Sequence, residues 1–234
     1  MSRGAAAVEL DDAPGARAGA VAWTGALAAA RFLFLGRGAP ARDAAWPAGL
    51  LPDGVERSWL TQVHSARALD AAPGPCGEGD ALVVRRAALA ATVAVADCVP
   101  VLLAGAGGAA AVHAGWRGLV AGVIPAAVER LGAVEAAWIG PAIGPCCYEV
   151  SEEVAAAVVA ASAAEVRRAG ARARPHLDLA RAASLQLARA GVGAVTLLRH
   201  CTRCRSEWLE SHRRDGERAG RNLALIWLEA PAAR

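Results

Sequence analysis

Three short runs in this chain are apolar at nearly every position and then turn polar within a residue or two. Thr-Val-Ala-Val-Ala (92–96) and Val-Leu-Leu-Ala (101–104) flank Ala-Asp-Cys-Val-Pro, and Ala-Ala-Ala-Val (109–112) runs into His-Ala-Gly-Trp-Arg-Gly. Runs of this length read as buried β-strands. Asp, Cys, His and Arg at the ends of such strands need a compensating interaction, because an unpaired polar group in a core costs roughly 2 to 7 kcal/mol on transfer scales. The chain must therefore fold around several buried strands, and their ends mark a candidate site.

Composition narrows the class. With 234 residues, no internal repeat and no clear linker, the chain is expected to form a single domain over 1–234. That length suffices to bury about 70% of the surface the unfolded chain exposes. Hydrophobic content of 55% and charged content of 20% describe a folded protein, and a net charge of +3 is too mild to point to nucleic acid as a partner. All the basic charge is arginine. Without lysine, Schiff-base chemistry, pyridoxal phosphate attachment and a P-loop are excluded. No secretory signal or membrane span is visible, so the expected setting is cytoplasmic, with a small-molecule partner, no membrane partner and a state consistent with a monomer.

Candidate strands fall at 19–24, 30–35, 55–63, 80–84, 91–97, 100–104, 109–114, 134–139, 194–199 and 222–228. Helix signals are strongest at 118–131, closed by Gly132; at 152–168, opened by Ser151 with Glu152 and Glu153 in its first turn; and at 179–190, between Asp178 and Gly191. Pro125 inside the first of these marks a kink or a late start. The fold class expected is mixed α/β (α+β).

One local geometry bears on chemistry. If Gly105-Ala106-Gly107-Gly108 is a hairpin turn pairing Ala104 with Ala109, His113 lies opposite Pro100. Cys98 is then on the same face, a diagonal neighbour roughly 7 to 8 Å away at the backbone. A slip of one residue would separate the two side chains onto opposite faces. His64, at the end of Trp-Leu-Thr-Gln-Val-His, would complete a set of three donors. Two imidazoles and a thiolate match a catalytic zinc that leaves its fourth position open, where a bound water is acidified to a pKa of about 7. Asp97, next to Cys98, is a candidate supporting group or proton acceptor. The same residues also allow a metal-free pair, with Cys98 as thiolate nucleophile and His113 as its base. Spacing leaves both open.

Cys76 sits in a Pro-Gly-rich loop, Cys146 and Cys147 in Gly-Pro-Cys-Cys-Tyr, and Cys201 and Cys204 in Cys-Thr-Arg-Cys. A lone Cys-X-X-Cys is a weak signal, and these cysteines receive no role from the sequence.

The segments around the candidate donors carry a resemblance. Thr-Gln-Val-His (61–64), Gly-Asp-Ala-Leu-Val (79–83), Ala-Asp-Cys-Val-Pro-Val-Leu-Leu (96–103), Val-His-Ala-Gly-Trp-Arg-Gly (112–118), Ile-Gly-Pro-Ala-Ile-Gly-Pro-Cys-Cys-Tyr-Glu-Val (139–150) and Arg-Arg-Asp-Gly-Glu-Arg-Ala-Gly-Arg (213–221) closely resemble the laccase-domain, or multicopper polyphenol oxidase, family. They occur in the family's order over about residues 60 to 228. The resemblance implies a zinc-dependent enzyme that phosphorolyses adenosine, inosine, guanosine or methylthioadenosine to base and ribose 1-phosphate, with adenosine deamination as a second activity. It implies zinc ligands at His64, Cys98 and His113, and a multi-layer α/β sandwich of mixed sheets flanked by helices, similar to the fold of Cys-His toxin deamidases. Some bacterial members resemble instead a hydrolase that edits peptidoglycan precursors, and a non-catalytic interaction protein is the third reading.

The family label itself implies copper oxidation, which the composition argues against. Multicopper sites need many imidazoles in His-X-His pairs, whereas this chain has 5 His and no such pair. Copper is expected here only as an adventitious occupant of the zinc site. Phosphorolysis demands donors for phosphate beside a ribosyl carbon that develops positive charge. Arg117, Arg213 and Arg214, with Gln62, are the candidate substrate-binding side chains. The segment 1–55 departs from the family's usual start, with Thr24-Gly25-Ala26-Leu27 and a short Phe-Leu-Phe-Leu, so the N-terminal wall of the pocket is expected to be abbreviated.

Overall fold

Strands that are apolar at successive positions must be covered on both faces, and the chain meets this by stacking two mixed sheets and backing one of them with helices. The structure is a computed structural model that describes residues 8–10, 13–170 and 174–230. Its strands begin with β1 (Val8–Leu10), β2 (Gly15–Arg17), β3 (Ala20–Leu27), β4 (Ala30–Leu35), β5 (Glu56–Thr61), β6 (Ala68–Asp70), β7 (Gly74–Glu78) and β8 (Ala81–Val84). They continue with β9 (Leu89–Val95), β10 (Val99–Gly105), β11 (Gly108–Ala114), β12 (Ala136–Ile139), β13 (Arg167–Arg168), β14 (His176–Leu177), β15 (Ala194–Leu198) and β16 (Asn222–Leu228).

The first sheet runs β1-β15-β12-β10-β11-β8-β6 and the second β2-β3-β4-β16-β9-β5-β7. Both mix parallel and antiparallel pairs: β12 is parallel to β15 but antiparallel to β10, and β9 is parallel to β5 but antiparallel to β16. Alternation along each strand sorts side chains between layers. On β10, Leu102 and Ala104 enter the layer between the sheets with Phe32, Phe34, Val93 and Ile226, while Val101 and Leu103 face the helices. Leu33 and Leu35 on β4 point outward, where Leu50 and Trp46 of the 36–55 loop cover them.

The helical layer is α1 (Trp116–Ala121), α2 (Val123–Leu131), α3 (Glu152–Ala161) and α4 (Leu179–Arg189), with a short α5 (His212–Asp215) near the site. The helix expected over 118–131 is thus two helices. Gly122 separates them in the left-handed conformation at φ +88°, with its N–H bonded back to Gly118 and Leu119 carbonyls. Pro125 then falls in the first turn of α2, where its missing N–H breaks no helical bond. The helix expected over 152–168 stops at Ala161, where the Ser162 hydroxyl donates to the Val158 carbonyl at 2.6 Å. That hydroxyl competes with the helical ladder, and the chain goes on as a 3-10 turn and β13. The third helix lies within a residue of its expected bounds, capped by Asp178, which accepts from the Arg181 N–H at 2.9 Å.

The edge strands β6 and β7 were not anticipated. The sequence of β7, Gly-Pro-Cys-Gly-Glu, has no apolar alternation; it becomes a strand only because β5 offers an open edge, a place where proline is tolerated. One topological detail positions the site. The chain passes from the second sheet to the first between β5 and β6, between β7 and β8, and again between β9 and β10.

Leu102 is fully buried between the sheets. Leu102→Ala is expected to destabilise the protein by about 2 to 5 kcal/mol, the usual cost of a large-to-small change in a packed core, read as a lowered urea midpoint with an unchanged slope.

Candidate metal centre and active site

Two of these three crossings deliver donors, and a strand end supplies the third. Cys98 lies in the β9–β10 crossing and His64 in the β5–β6 crossing, while His113 is the penultimate residue of β11, opposite Pro100. The β10–β11 register pairs Ala104 with Ala109, as the glycine-rich turn predicts. The donor atoms of His64, Cys98 and His113 lie within 4.8 Å of one another. Cys98 Sγ is 3.9 Å from His64 Nε2, and the two imidazole rings meet edge to face with centroids 4.8 Å apart.

Asp80 organises this cluster, a role that its place in the sequence does not assign. It precedes the apolar β8, is fully buried, and accepts from five donors. The His64 and Ser65 N–H groups reach it at 3.0 and 2.6 Å, the Ser65 hydroxyl at 2.8 Å and the Val63 N–H at 3.4 Å. His113 Nδ1 completes the set at 2.8 Å. One carboxylate therefore reaches both histidines: it holds the His64 backbone in a turn with φ +59°, and it occupies Nδ1 of the His113 ring, leaving Nε2 for ligation. An Asp at the head of an apolar strand was the available signal.

Electrostatics follow from that contact. Burial alone raises the Asp80 carboxyl, but the His113 and Ser65 hydrogen bonds outweigh it and bring it down to about 2. Burial opposes a charge on His113, but Asp80 and Cys98 raise it to about 9. Burial raises the Cys98 thiol, but His113 and His64 bring it down to about 6. The cluster thus favours the thiolate form that binds metals. Space is provided as well. A Cβ on Gly115 would come within 2.9 Å of both Cys98 Sγ and His64 Cδ2, so the absence of a side chain there keeps the cradle open. Two imidazoles and a thiolate converging on an open side fit one metal ion with an exchangeable position.

The cluster opens into a cleft of about 650 Å³ whose lining includes Arg42, Gln62, Asp97, Arg117, Tyr148, His212, Arg213 and Arg221. Asp97 points away from the donors. Its oxygens accept from the Thr202 hydroxyl and the Arg213 N–H, both at 2.6 Å, which ties the β9–β10 crossing to the 202–213 segment. Its φ of +92° is a strained backbone worth about 1 to 3 kcal/mol, held by those bonds. The Gln62 side chain pairs with both backbone groups of Ala94, at 2.7 and 2.8 Å. Arg213 donates to the Cys147 and Glu149 carbonyls and lies 5.1 Å over the Tyr148 ring. Arg214 is outside the cleft lining, bound to Asp215 and to the Thr202 and Leu209 carbonyls. Arg117 has no hydrogen-bond or ion-pair partner among the described residues and rests 4.4 Å over the Trp116 ring. Arg42, Tyr148 and His212 join the lining without having been singled out as site residues in the sequence.

Fold and site together define a mixed α/β sandwich protein with a His-Cys-His cluster able to hold one metal ion at the rim of its two sheets. The chain belongs to the multi-copper polyphenol oxidoreductase laccase family, whose pattern matches residues 48–229. It is 40% identical over 181 residues to a purine nucleoside phosphorylase of Pseudomonas aeruginosa, covering 74% of each chain. It is 43% identical over 183 residues to a purine nucleoside phosphorylase of Streptomyces coelicolor, covering 73% of this chain and 74% of that one. The fold matches a solved Neisseria meningitidis protein with a TM-score of 0.78 at 30% identity, over 89% of this chain and 99% of that one. Among the described residues no helix is long and apolar enough to cross a membrane.

Asp80→Asn keeps the shape of the side chain but removes the charge that orients the His113 ring and holds the His64 turn. Metal affinity is expected to fall about 10- to 100-fold, the usual cost of losing a carboxylate behind a metal-binding histidine, measured by competition with a chromogenic chelator.

Proposed function

We propose that this protein is a zinc-dependent purine nucleoside phosphorylase. It splits adenosine, inosine, guanosine or methylthioadenosine with phosphate into free base and ribose 1-phosphate, and hydrolyses adenosine to inosine as a second reaction. The observation that carries the reading is the charge balance of the cleft. Four arginines, Arg42, Arg117, Arg213 and Arg221, face a single carboxylate, Asp97, whose oxygens are already engaged. A cleft so lined is built for an anionic co-substrate, and its volume of about 650 Å³ suits a ligand of nucleoside size. The names of the similar bacterial proteins support the same reading.

A zinc ion held by His64, Cys98 and His113 would supply Lewis acidity beside the substrate and acidify a water for the deamination. The chain's own groups do the rest. Arg117, unpaired by any carboxylate among the described residues, binds phosphate with its guanidinium. An oxygen of that phosphate attacks the ribosyl C1′ as the bond to the purine nitrogen breaks, and the purine leaves with the electron pair and gains a proton. Burial and the neighbouring Cys98 charge, against the opposing pull of Arg213, push the Tyr148 phenol up to about 12, so it keeps an O–H to donate towards that base. Arg213, held by two carbonyls, positions the Tyr148 ring beneath it.

Laccase chemistry does not suit these residues. The chain has 5 His, and only His64 and His113 belong to a cluster of donors among the described residues. Copper in the protein would be a substitute occupant of the same three donors. A second reading has its own support: Cys98, His113 and Asp80 stand as nucleophile, base and orienting carboxylate, the arrangement of a metal-free cysteine hydrolase, with His113 Nδ1 2.8 Å from Asp80.

Three measurements decide. Adenosine with phosphate is expected to yield adenine and ribose 1-phosphate, with inosine alone when phosphate is omitted; absence of turnover in both would overturn the proposal. Arg117→Ala is expected to raise the KM for phosphate about 10- to 100-fold, the worth of a charge-assisted hydrogen bond, with deamination little changed. Removal of metal by a chelator is expected to abolish both reactions and zinc to restore them. Full activity in the stripped protein, blocked by alkylation of Cys98, would instead establish the thiolate mechanism.

A further inference from the structure

Four cysteines outside the cleft meet in space. β12 and β15 are parallel neighbours, so the loops leaving their ends emerge side by side, linked by a bridge between Ala142 and Cys201. The first loop turns at Gly144, whose carbonyl accepts from the Cys147 and Tyr148 N–H groups at 2.9 and 3.0 Å. The second turns at Cys201, whose carbonyl accepts from the Arg205 N–H at 2.9 Å. These turns place the sulfurs of Cys146, Cys147, Cys201 and Cys204 within 4.8 Å of one another, although the two pairs are more than fifty residues apart in sequence.

The sulfur spacing is informative. Cys204 Sγ is 3.7 Å from Cys146 Sγ and 3.4 Å from Cys147 Sγ. Sulfurs around a tetrahedral zinc with bonds of about 2.3 Å are separated by about 3.8 Å, whereas a disulfide brings them to about 2.05 Å. All four cysteines are free. The surroundings also suit an anionic cluster. The Gly144 N–H donates to Cys201 Sγ at 3.3 Å and the Arg203 guanidinium to Cys147 Sγ at 3.6 Å, the kind of contacts that disperse thiolate charge around a metal. A Cβ on Gly144 would approach Cys146 Sγ to 3.2 Å and the Cys201 Cβ to 3.3 Å, so the glycine leaves the two loops room to close.

We propose that Cys146, Cys147, Cys201 and Cys204 form a second metal site, a closed four-thiolate site for zinc or another soft divalent cation, separate from the His64, Cys98 and His113 cluster. Binding releases the four thiol protons to solvent, and four S–H bonds are exchanged for four metal–sulfur bonds to one cation. The site staples together the two loops that build one wall of the cleft. Tyr148 follows Cys147 directly, the Cys147 carbonyl accepts from Arg213, and the Thr202 hydroxyl beside Cys201 holds Asp97 at 2.6 Å. Its role is to hold the cleft wall in shape.

The full-length protein, purified under reducing conditions and equilibrated with zinc, is expected to hold two metal ions per chain by elemental analysis. Cys201→Ser combined with Cys204→Ser should hold one, and Cys98→Ser should also hold one. Because the double variant risks losing its fold, the Cys98→Ser protein loaded with cobalt provides a second readout with all four thiols in place: strong thiolate-to-cobalt charge transfer and the visible bands of a tetrahedral four-sulfur site. One metal ion in the wild type, unchanged metal content in a folded double variant, or a cobalt spectrum without those bands would each overturn the proposal, as would disulfides among these cysteines in protein prepared without air.

Discussion

The site depends on the carboxylate of Asp80. Buried at the head of β8, it accepts from the backbone of residues 63–65, from the Ser65 hydroxyl and from His113. A buried charge is tolerable only when its hydrogen-bonding capacity is met, and here the groups that meet it are the ones that must be oriented. The left-handed turn at His64 and the turning of the His113 Nε2 away from Asp80 follow from that contact, and the two histidines in turn lower the Cys98 thiol. Without it the three donors would sit on two sheets with nothing to aim them at one point.

The two-sheet architecture explains why the donors lie where they do. A strand buried on both faces has no interior place for polar groups, so chemistry is confined to strand ends and to the links between layers. This chain passes from its second sheet to its first three times in succession, and those links carry His64, Asp80 and Cys98 in turn. The cleft wall opposite is made from loops that follow β12 and β15 and from the 202–213 segment, joined through Asp97, Thr202 and Arg213. Catalytic rim and supporting wall are therefore separate pieces of chain locked by a few short polar contacts.

Parts of this were legible in residue order. The buried strands at 91–97, 100–104 and 109–114 and the β10–β11 register could be read because alternation and a glycine-rich turn are local signals. The helix limits failed where local chemistry competed with periodicity, at Gly122 and at the Ser162 hydroxyl. The strands β6 and β7 were invisible because their pairing comes from sheet edges supplied by distant segments. The role of Asp80 is not legible locally because its partners lie 15 to 33 residues away in sequence.

By itself the sequence determined which strands are buried, which donors the chain owns, and, through the short turn at residues 105–108, that His113 and Cys98 share a face. Those are consequences of neighbours within a few residues. Only the tertiary structure decided that His64 joins them, that Asp97 turns from the donors to Thr202, and that four cysteines from two loops meet. Such contacts are made when sheets stack and parallel strands align, and no pattern of nearby residues carries information about which distant loops will then be side by side.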